Sequence, residues 1–220
     1  MSTAADLKRI LIVEDHPLTR RGIAALLQEE ANLSVCAEAE NVSGAIKALD
    51  ATGPDLVIVD LILQDGSGLD LVRRLKTHRP DLPVLVLSMH DEEFYAERAL
   101  RAGAKGYVAK SEDGRVIVHA VREVLAGRMY VNPAQAGRML SGLLSGTGGS
   151  PVQKLTDREF EVFELLGQGL GTQQIADRLH ISTGTVDAHR EHIKKKLDVP
   201  SAQKLTVFAV QWFQASRGAI

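Results

Sequence analysis

The chain has 220 residues, a formal net charge of −2, 45% hydrophobic residues and one cysteine. That length allows one or two domains with ordinary cores, and a lone Cys36 excludes an intrachain disulfide and reads as a buried structural thiol. No run approaches the roughly 20 apolar residues of a membrane span. The first six residues lack a basic region ahead of an apolar core, so they do not read as a secretory signal, and a cytoplasmic protein without a membrane partner is expected.

Charge is divided unevenly. Residues 1–150 hold 17 Lys and Arg against 20 Asp and Glu, a net of −3, whereas residues 151–220 hold 9 against 8, a net of +1. The tail is no polycation, and charge alone makes a weak case for nucleic acid.

The first apolar run, Ile10–Val13, ends in Glu14 and Asp15. Pro17 suits the first turn of the helix expected over 18–30. Val35-Cys36-Ala37 is the next apolar stretch, and a helix is expected over 42–51. Leu56–Val59 then runs into Asp60, and Gly68–His78 has helical spacing. Val84–Leu87 ends in Ser88, and a helix is expected over 92–102. Tyr107-Val108-Ala109 ends in Lys110, and a fifth helix is expected over 115–126. Short uninterrupted apolar runs suit strands buried on both faces of a parallel sheet. Five alternating units imply right-handed crossovers with helices on both faces.

Ligands of such sheets bind beyond the carboxyl ends of the strands. If these strands are neighbours, Glu14, Asp15 and Asp60 meet there with Ser88 and Lys110. Crowded carboxylates repel, so the cluster implies a cation, and hard oxygen ligands suit Mg²⁺. Taken singly these residues have bland readings: a strand-end Asp is often a turn former, Ser88 a cap, Tyr107 core. Their joint spacing is what points to phosphoryl transfer. His90 reads as a surface residue at the rim and Met89 as packing.

Weakly helical residues 130–144 precede Ser145-Gly146-Thr147-Gly148-Gly149-Ser150-Pro151, a flexible linker by composition. Domains are expected at 1–128 and 151–220, with 129–150 as the partly helical linker. Thr156-Asp157-Arg158-Glu159 is a capping box, and Phe160, Val162, Phe163, Leu165 and Leu166 form an apolar face behind it. Gly167–Gly171 breaks the chain, Thr172 is expected to cap a helix through Leu179, and Ser182 to cap another over 185–197. Two helices joined by a tight turn, the second rich in His, Arg and Lys, form a helix-turn-helix pattern. A last helix from about Ser201 to Ser216 carries Leu205, Phe208, Ala209 and Trp212 on one face, with its own domain's core or a dimer contact as equal alternatives.

These residues resemble a family over nearly the whole chain: the two-component response regulators of the NarL/FixJ type. There a flavodoxin-like, doubly wound (βα)5 receiver is joined by a linker to a small all-α LuxR-type helix-turn-helix domain. The receiver likeness rests on Glu14-Asp15, Asp60, Ser88, Tyr107 and Lys110. The second rests on Leu155–Glu159, Ile175-Ala176, Thr185–His189, Ile193 and Lys196-Leu197. The resemblance implies that Asp60 accepts a phosphoryl group, and that Glu14, Asp15, Asp60 and the Ile62 carbonyl hold Mg²⁺. It also implies that Lys110 and Ser88 meet the phosphoryl oxygens while Tyr107 swings inward as a switch. Implied partners are a sensor histidine kinase, double-stranded promoter DNA, RNA polymerase and a second copy of the chain when phosphorylated.

Gln64-Asp65 departs from the family's usual Pro-Gly, and Asp187 and Glu191 stand where relatives carry basic or neutral residues. Val186, Ile193 and Leu197 are expected to face inward, with His189 or Arg190 at the flank. Thr185, Asp187, Ala188, Glu191 and Lys195 would then face the major groove, while Arg190, Lys194 and Lys196 reach phosphates. Glu191 is the candidate for a cytosine contact, against the alternative that it pairs with Lys194 or Lys195. Two other classes are an enzyme with a strand-end Asp nucleophile and a receiver whose output is contact with another protein, and the helix-turn-helix pattern argues against the second. Ile62 stands where such enzymes commonly need a second acid, so a regulator rather than an enzyme is expected.

Overall fold

The structure, a computed structural model, describes residues 7–63, 66–89, 92–137, 139 and 151–217. Residues 1–6, Gln64-Asp65, His90 and the Ser145–Ser150 stretch lie outside them. The chain divides into two compact units, residues 1–144 and 145–220.

In the first unit, Ile10–Val13, Leu56–Val59 and Val84–Leu87 are each no more than 1% exposed, which is why they run apolar without alternation. They belong to strands β1 (Lys8–Val13), β3 (Leu56–Val59) and β4 (Val84–Ser88), flanked by β2 (Leu33–Ala39) and β5 (Gly106–Ala109). All pairs are parallel, in the order β2-β1-β3-β4-β5. The helices between them are α1 (Pro17–Gln28), α2 (Val42–Thr52), α3 (Gly68–His78), α4 (Glu92–Ala102) and α5 (Gly114–Leu125). Strand order reverses between β1 and β3, the switch point where open α/β sheets bind ligands.

Local signals set the helix ends. Pro17 opens α1, Asn41 Oδ1 accepts from the Gly44 N–H at 2.7 Å, and Gly53, with φ of 54°, closes α2 in the left-handed region. Ile23 and Leu27 of α1 join Ile117, Val121 and Val124 of α5 over Ile10, Ile12, Leu56, Ile58, Leu85 and Leu87. Each such aliphatic side chain stabilises the fold by about 1.5–3 kcal/mol.

Two expectations change here. Ile10 pairs with Val35 and Leu11 with Ala37, so Cys36 is the extra residue of a β-bulge. It is half-buried rather than buried, and its thiol donates to the Ile10 carbonyl at 3.4 Å. In addition, strand pairing runs past residue 128. The Tyr130 N–H donates to Lys105 O at 2.9 Å, and Tyr130 O accepts from the Tyr107 N–H at 2.9 Å. A bridge to Gly106 results, with the His119 ring edge-on to Tyr130. Residues 133–137 are helical.

The second unit starts with a single 3₁₀ turn (Pro151–Lys154), followed by α6 (Asp157–Gly167), α7 (Thr172–Leu179), α8 (Thr183–Leu197) and α9 (Ala202–Arg217). The capping box opens α6: the Thr156 N–H donates to Glu159 Oε2 at 2.8 Å, and the Glu159 N–H to Thr156 Oγ1 at 3.4 Å. The cap of α7 is Gly171, not Thr172; the Gly171 N–H donates to Gln174 Oε1 at 2.9 Å. Thr172 is already helical, which frees its hydroxyl for Arg190. Ser182 caps α8, which begins at Thr183, two residues earlier than expected. His180 and Asp198 close α7 and α8 with φ of 52° and 54°, a conformation that His and Asp tolerate better than most residues.

The apolar face of α9 belongs to this unit's own core. Leu205 and Ala209 are fully buried. Trp212 packs on Phe160 and Phe163, and Phe208 on Phe163. A Cβ on Gly167 would fall 2.7 Å from Ala209 O, so glycine is what lets α6 and α9 approach this closely. Leu205 and Ala209 thus take the core alternative, while Phe208 and Trp212 pack on the core and stay half-buried.

Candidate functional site

Glu14 and Asp60 each stand one residue beyond their strands, and Ser88 ends β4. The backbone ladder continues into all of them: Glu14 N–H donates to Ala39 O at 3.0 Å, Asp60 N–H to Val13 O at 2.9 Å, and Lys110 N–H to Ser88 O at 2.8 Å. The ammonium of Lys110 bridges Glu14 Oε2 at 2.6 Å and Asp60 Oδ2 at 2.9 Å. The Leu61 N–H donates to Asp60 Oδ1 at 2.7 Å. Ligand atoms of Glu14, Asp15, His16 and Asp60 all lie within 4.8 Å of one another. Glu14, Asp60 and Ser88 are buried, whereas Asp15 is partly exposed and His16 exposed.

Burial pushes the Glu14 carboxyl above its ordinary value and the nearby Asp60 charge adds to this; Lys110 opposes both without cancelling them. Burial likewise raises Asp60 against the pull of Lys110. Two buried carboxylates thus share one ammonium, a deficit of positive charge that a hard divalent cation would fill. Three carboxylates converging on one spot fit Mg²⁺. Ile62 lies in a two-residue antiparallel ladder, Ile62–Leu63 with Gly66–Ser67, between Asp60 and α3. Tyr107 is 1% exposed, and Met89, expected to pack, is 74% exposed.

Three residues at this site, His16, Arg20 and Gly68, carry no reading from the sequence alone. Arg20 of α1 donates to the Glu14 carbonyl at 2.7 Å while pairing with Glu38 at 3.0 Å and Glu40 at 2.7 Å, tying down the loop that aims Glu14. Its only sequence signal is a cation one turn into the helix after the acidic pair. A Cβ on Gly68 would fall 2.0 Å from the Asp60 carbonyl oxygen. Bare backbone there lets the chain fold back under Asp60, where the Gly68 N–H donates to Leu61 O at 2.7 Å.

On α8, Val186 and Ile193 are buried and Leu197, His189 and Arg190 are half-buried, while Thr185, Asp187, Ala188, Glu191, Lys195 and Lys196 are exposed. The expected cation set is largely engaged within the unit. Lys194 pairs with Glu191 at 2.7 and 2.9 Å, Lys196 with Glu159 at 2.6 Å, and Arg190 donates to Thr172 Oγ1 at 2.7 Å. Glu191 thus adopts the pairing with Lys194 and holds its carboxylate along the helix.

Residues 10–122 match the family described as response regulator receiver domain, and residues 153–209 the bacterial regulatory proteins of the luxR family. The transcriptional activator protein ExaE of Pseudomonas putida is 39% identical over 92% of this chain and 95% of its own. The DNA-binding transcriptional activator DevR/DosR of Mycobacterium tuberculosis is 33% identical over 92% and 94%. A crystal structure of a LuxR-family two-component response regulator from Aurantimonas sp. SI85-9A1 superposes with a TM-score of 0.59 at 32% identity, covering 63% of this chain and 99% of that one. The chain belongs to the two-component response regulators of the NarL/FixJ type, in which a receiver is joined to a LuxR-type helix-turn-helix. It is a DNA-binding transcription regulator of a two-component system. Among the described residues no helix is long and apolar enough to cross a membrane.

Proposed function

We propose that phosphorylation of Asp60 controls binding of the second unit to promoter DNA. The observation that carries this reading is Lys110 bridging Glu14 and Asp60 with Asp15 in reach, at the carboxyl ends of adjacent strands. The donor is the phosphohistidine of a sensor kinase. An Asp60 carboxylate oxygen attacks phosphorus, the N–P bond breaks, and an acyl phosphate forms on Asp60. Glu14, Asp15, Asp60 and the Ile62 carbonyl would hold Mg²⁺, which when bound would supply the positive charge that lets a phosphoryl group approach these carboxylates. Lys110 then shifts its charge toward the phosphoryl group, Ser88 donates to one of its oxygens, and Tyr107 moves in behind Ser88.

In this reading residues 1–128 are the receiver, 129–150 a linker whose start pairs with the receiver's edge strand through Tyr130, and 151–220 the DNA-binding domain. Thr185, Asp187, Ala188, Arg190, Glu191, Lys194, Lys195 and Lys196 face or flank the groove. The protein acts in the cytoplasm as a phosphorylated homodimer upstream of RNA polymerase, and it does not turn over substrate as an enzyme. Incubation with a small acyl phosphate and Mg²⁺ is expected to label wild type stoichiometrically and to leave Asp60→Asn blank. Equal labelling of Asp60→Asn would refute the assignment.

A further inference from the structure

We propose that Asp187 is the base-reading residue of the recognition helix and that it accepts a hydrogen bond from the N4 amino group of a cytosine in the major groove. This rests on the DNA-binding reading above and assigns the specificity of that surface.

Asp187 has no structural task in its own unit. It is exposed, and among the described residues it has no hydrogen-bond or ion-pair partner. Its neighbours one turn away are Thr183, Gly184, Arg190 and Glu191. Arg190, the only cation of the four, donates to Thr172. Glu191 carries like charge at i+4, which is mildly destabilising, and turns its carboxylate to Lys194 instead. Nor does Asp187 serve the helix start. Ser182 Oγ already accepts from the Thr185 N–H at 3.1 Å, and Asp187 lies in the second turn, beyond where the helix dipole rewards an acid. An acid that stabilises nothing where it stands marks a local rule broken for function.

The surroundings allow close approach. Gly184 and Ala188 are exposed beside Asp187, and a Cβ on Gly184 would meet only Ser182 Oγ, at 3.8 Å. The N-terminal half of α8 therefore presents no bulk, and that is the half by which a helix-turn-helix meets base edges. A carboxylate brought there is repelled by phosphates and by the acceptors on guanine, on thymine and at adenine N7. Cytosine is the base whose groove edge offers a donor without an adjacent acceptor. Lys194 and Lys196 pair with Glu191 and Glu159, Arg190 turns to the Thr172 hydroxyl, and Lys195 stands two turns away, so among the described residues no cation pairs with the Asp187 carboxylate.

Binding-site selection on the full-length protein, treated with a small acyl phosphate and Mg²⁺, tests this. Wild type should enrich a motif with one cytosine preferred about tenfold to a hundredfold over other bases. Asp187→Ala should lose that preference while keeping the rest of the motif. Asp187→Asn should move it toward adenine, whose N6 and N7 suit an amide. An unchanged motif with Asp187→Ala, including tighter binding to all sequences alike, overturns the proposal and leaves the DNA-binding reading standing. A wild type that enriches no sequence overturns both. Unchanged thermal unfolding of the variants, expected for an exposed residue without partners, excludes loss of fold as the cause.

Discussion

Two lysine–glutamate pairs of the same length, one in each unit, behave in opposite ways. Lys110 meets Glu14 and Lys196 meets Glu159, both at 2.6 Å, and each Glu is at least 95% shielded from solvent. Yet the Glu14 carboxyl is pushed up and the Glu159 carboxyl is held down. For both, burial is the largest influence and acts to raise. At Glu159 the hydrogen bonds from Lys196 and from the Thr156 N–H and hydroxyl outweigh it, and among the described residues Lys196 pairs with that carboxylate alone. At Glu14 the same ammonium must also serve Asp60, whose charge adds to the penalty. Distance alone does not tell a structural ion pair from a reactive one. What tells them apart is the count of opposing charges and N–H donors within the buried cluster.

The sharpest way to break this comparison is to remove each lysine. Lys110→Met leaves two buried carboxylates without their ammonium and should destabilise the metal-free protein by about 3 kcal/mol. Saturating Mg²⁺ should restore much of that, because a ligand bound only by the folded state stabilises it. Urea unfolding with and without Mg²⁺ measures both numbers; a loss that Mg²⁺ leaves untouched would contradict a metal site at Glu14, Asp15 and Asp60.

Glu159→Gln keeps the capping box, which Gln also completes, and should cost about 1 kcal/mol near neutral pH through loss of the charged pair with the partly exposed Lys196. The sign with pH follows from the depressed carboxyl: its contribution is complete above the unfolded value of 4.5 and is lost as pH falls through the lower folded value. Unfolding midpoints of wild type and variant should therefore converge on acidification. A gap that stays constant with pH would assign Glu159 a purely steric role.

The smallest effect separates the lysines of α8. Lys195 is exposed and, among the described residues, has no hydrogen-bond or ion-pair partner. Lys195→Ala should leave stability unchanged and reduce the salt slope of DNA binding by about one counterion unit. Lys196→Ala should instead lower stability, since it opens the pair with Glu159. The reverse pattern would mean that Lys196, not Lys195, meets the phosphates.

Much of this molecule could be read along the chain because its signals are local. The strand-end positions of Glu14, Asp60, Ser88 and Lys110 follow from apolar runs that stop at the sheet's edge. The α3 and α4 boundaries, the capping box at Thr156 and Glu159, and the inward face of Val186 and Ile193 follow from periodicity and backbone N–H groups that need partners. Other features depend on chain that is distant in sequence. Gly68 is needed because the Asp60 backbone returns over it, Gly167 because α9 presses on it, and Arg20 matters because Glu38, near the end of β2, and Glu40, just past it, stand beside the Glu14 loop. Tyr130 looked like linker because a single bridge to an edge strand leaves no period in the sequence. Glu191 has both Lys194 and Lys195 within helical reach, and the side-chain geometry selects Lys194. Hydrophobic period and end-capping are properties of neighbouring residues, so sequence alone determined the elements and the order of the chemical groups. Which charge meets which, and where bare backbone is required, are set by the three-dimensional packing of elements far apart in the chain, and only the tertiary structure decided them.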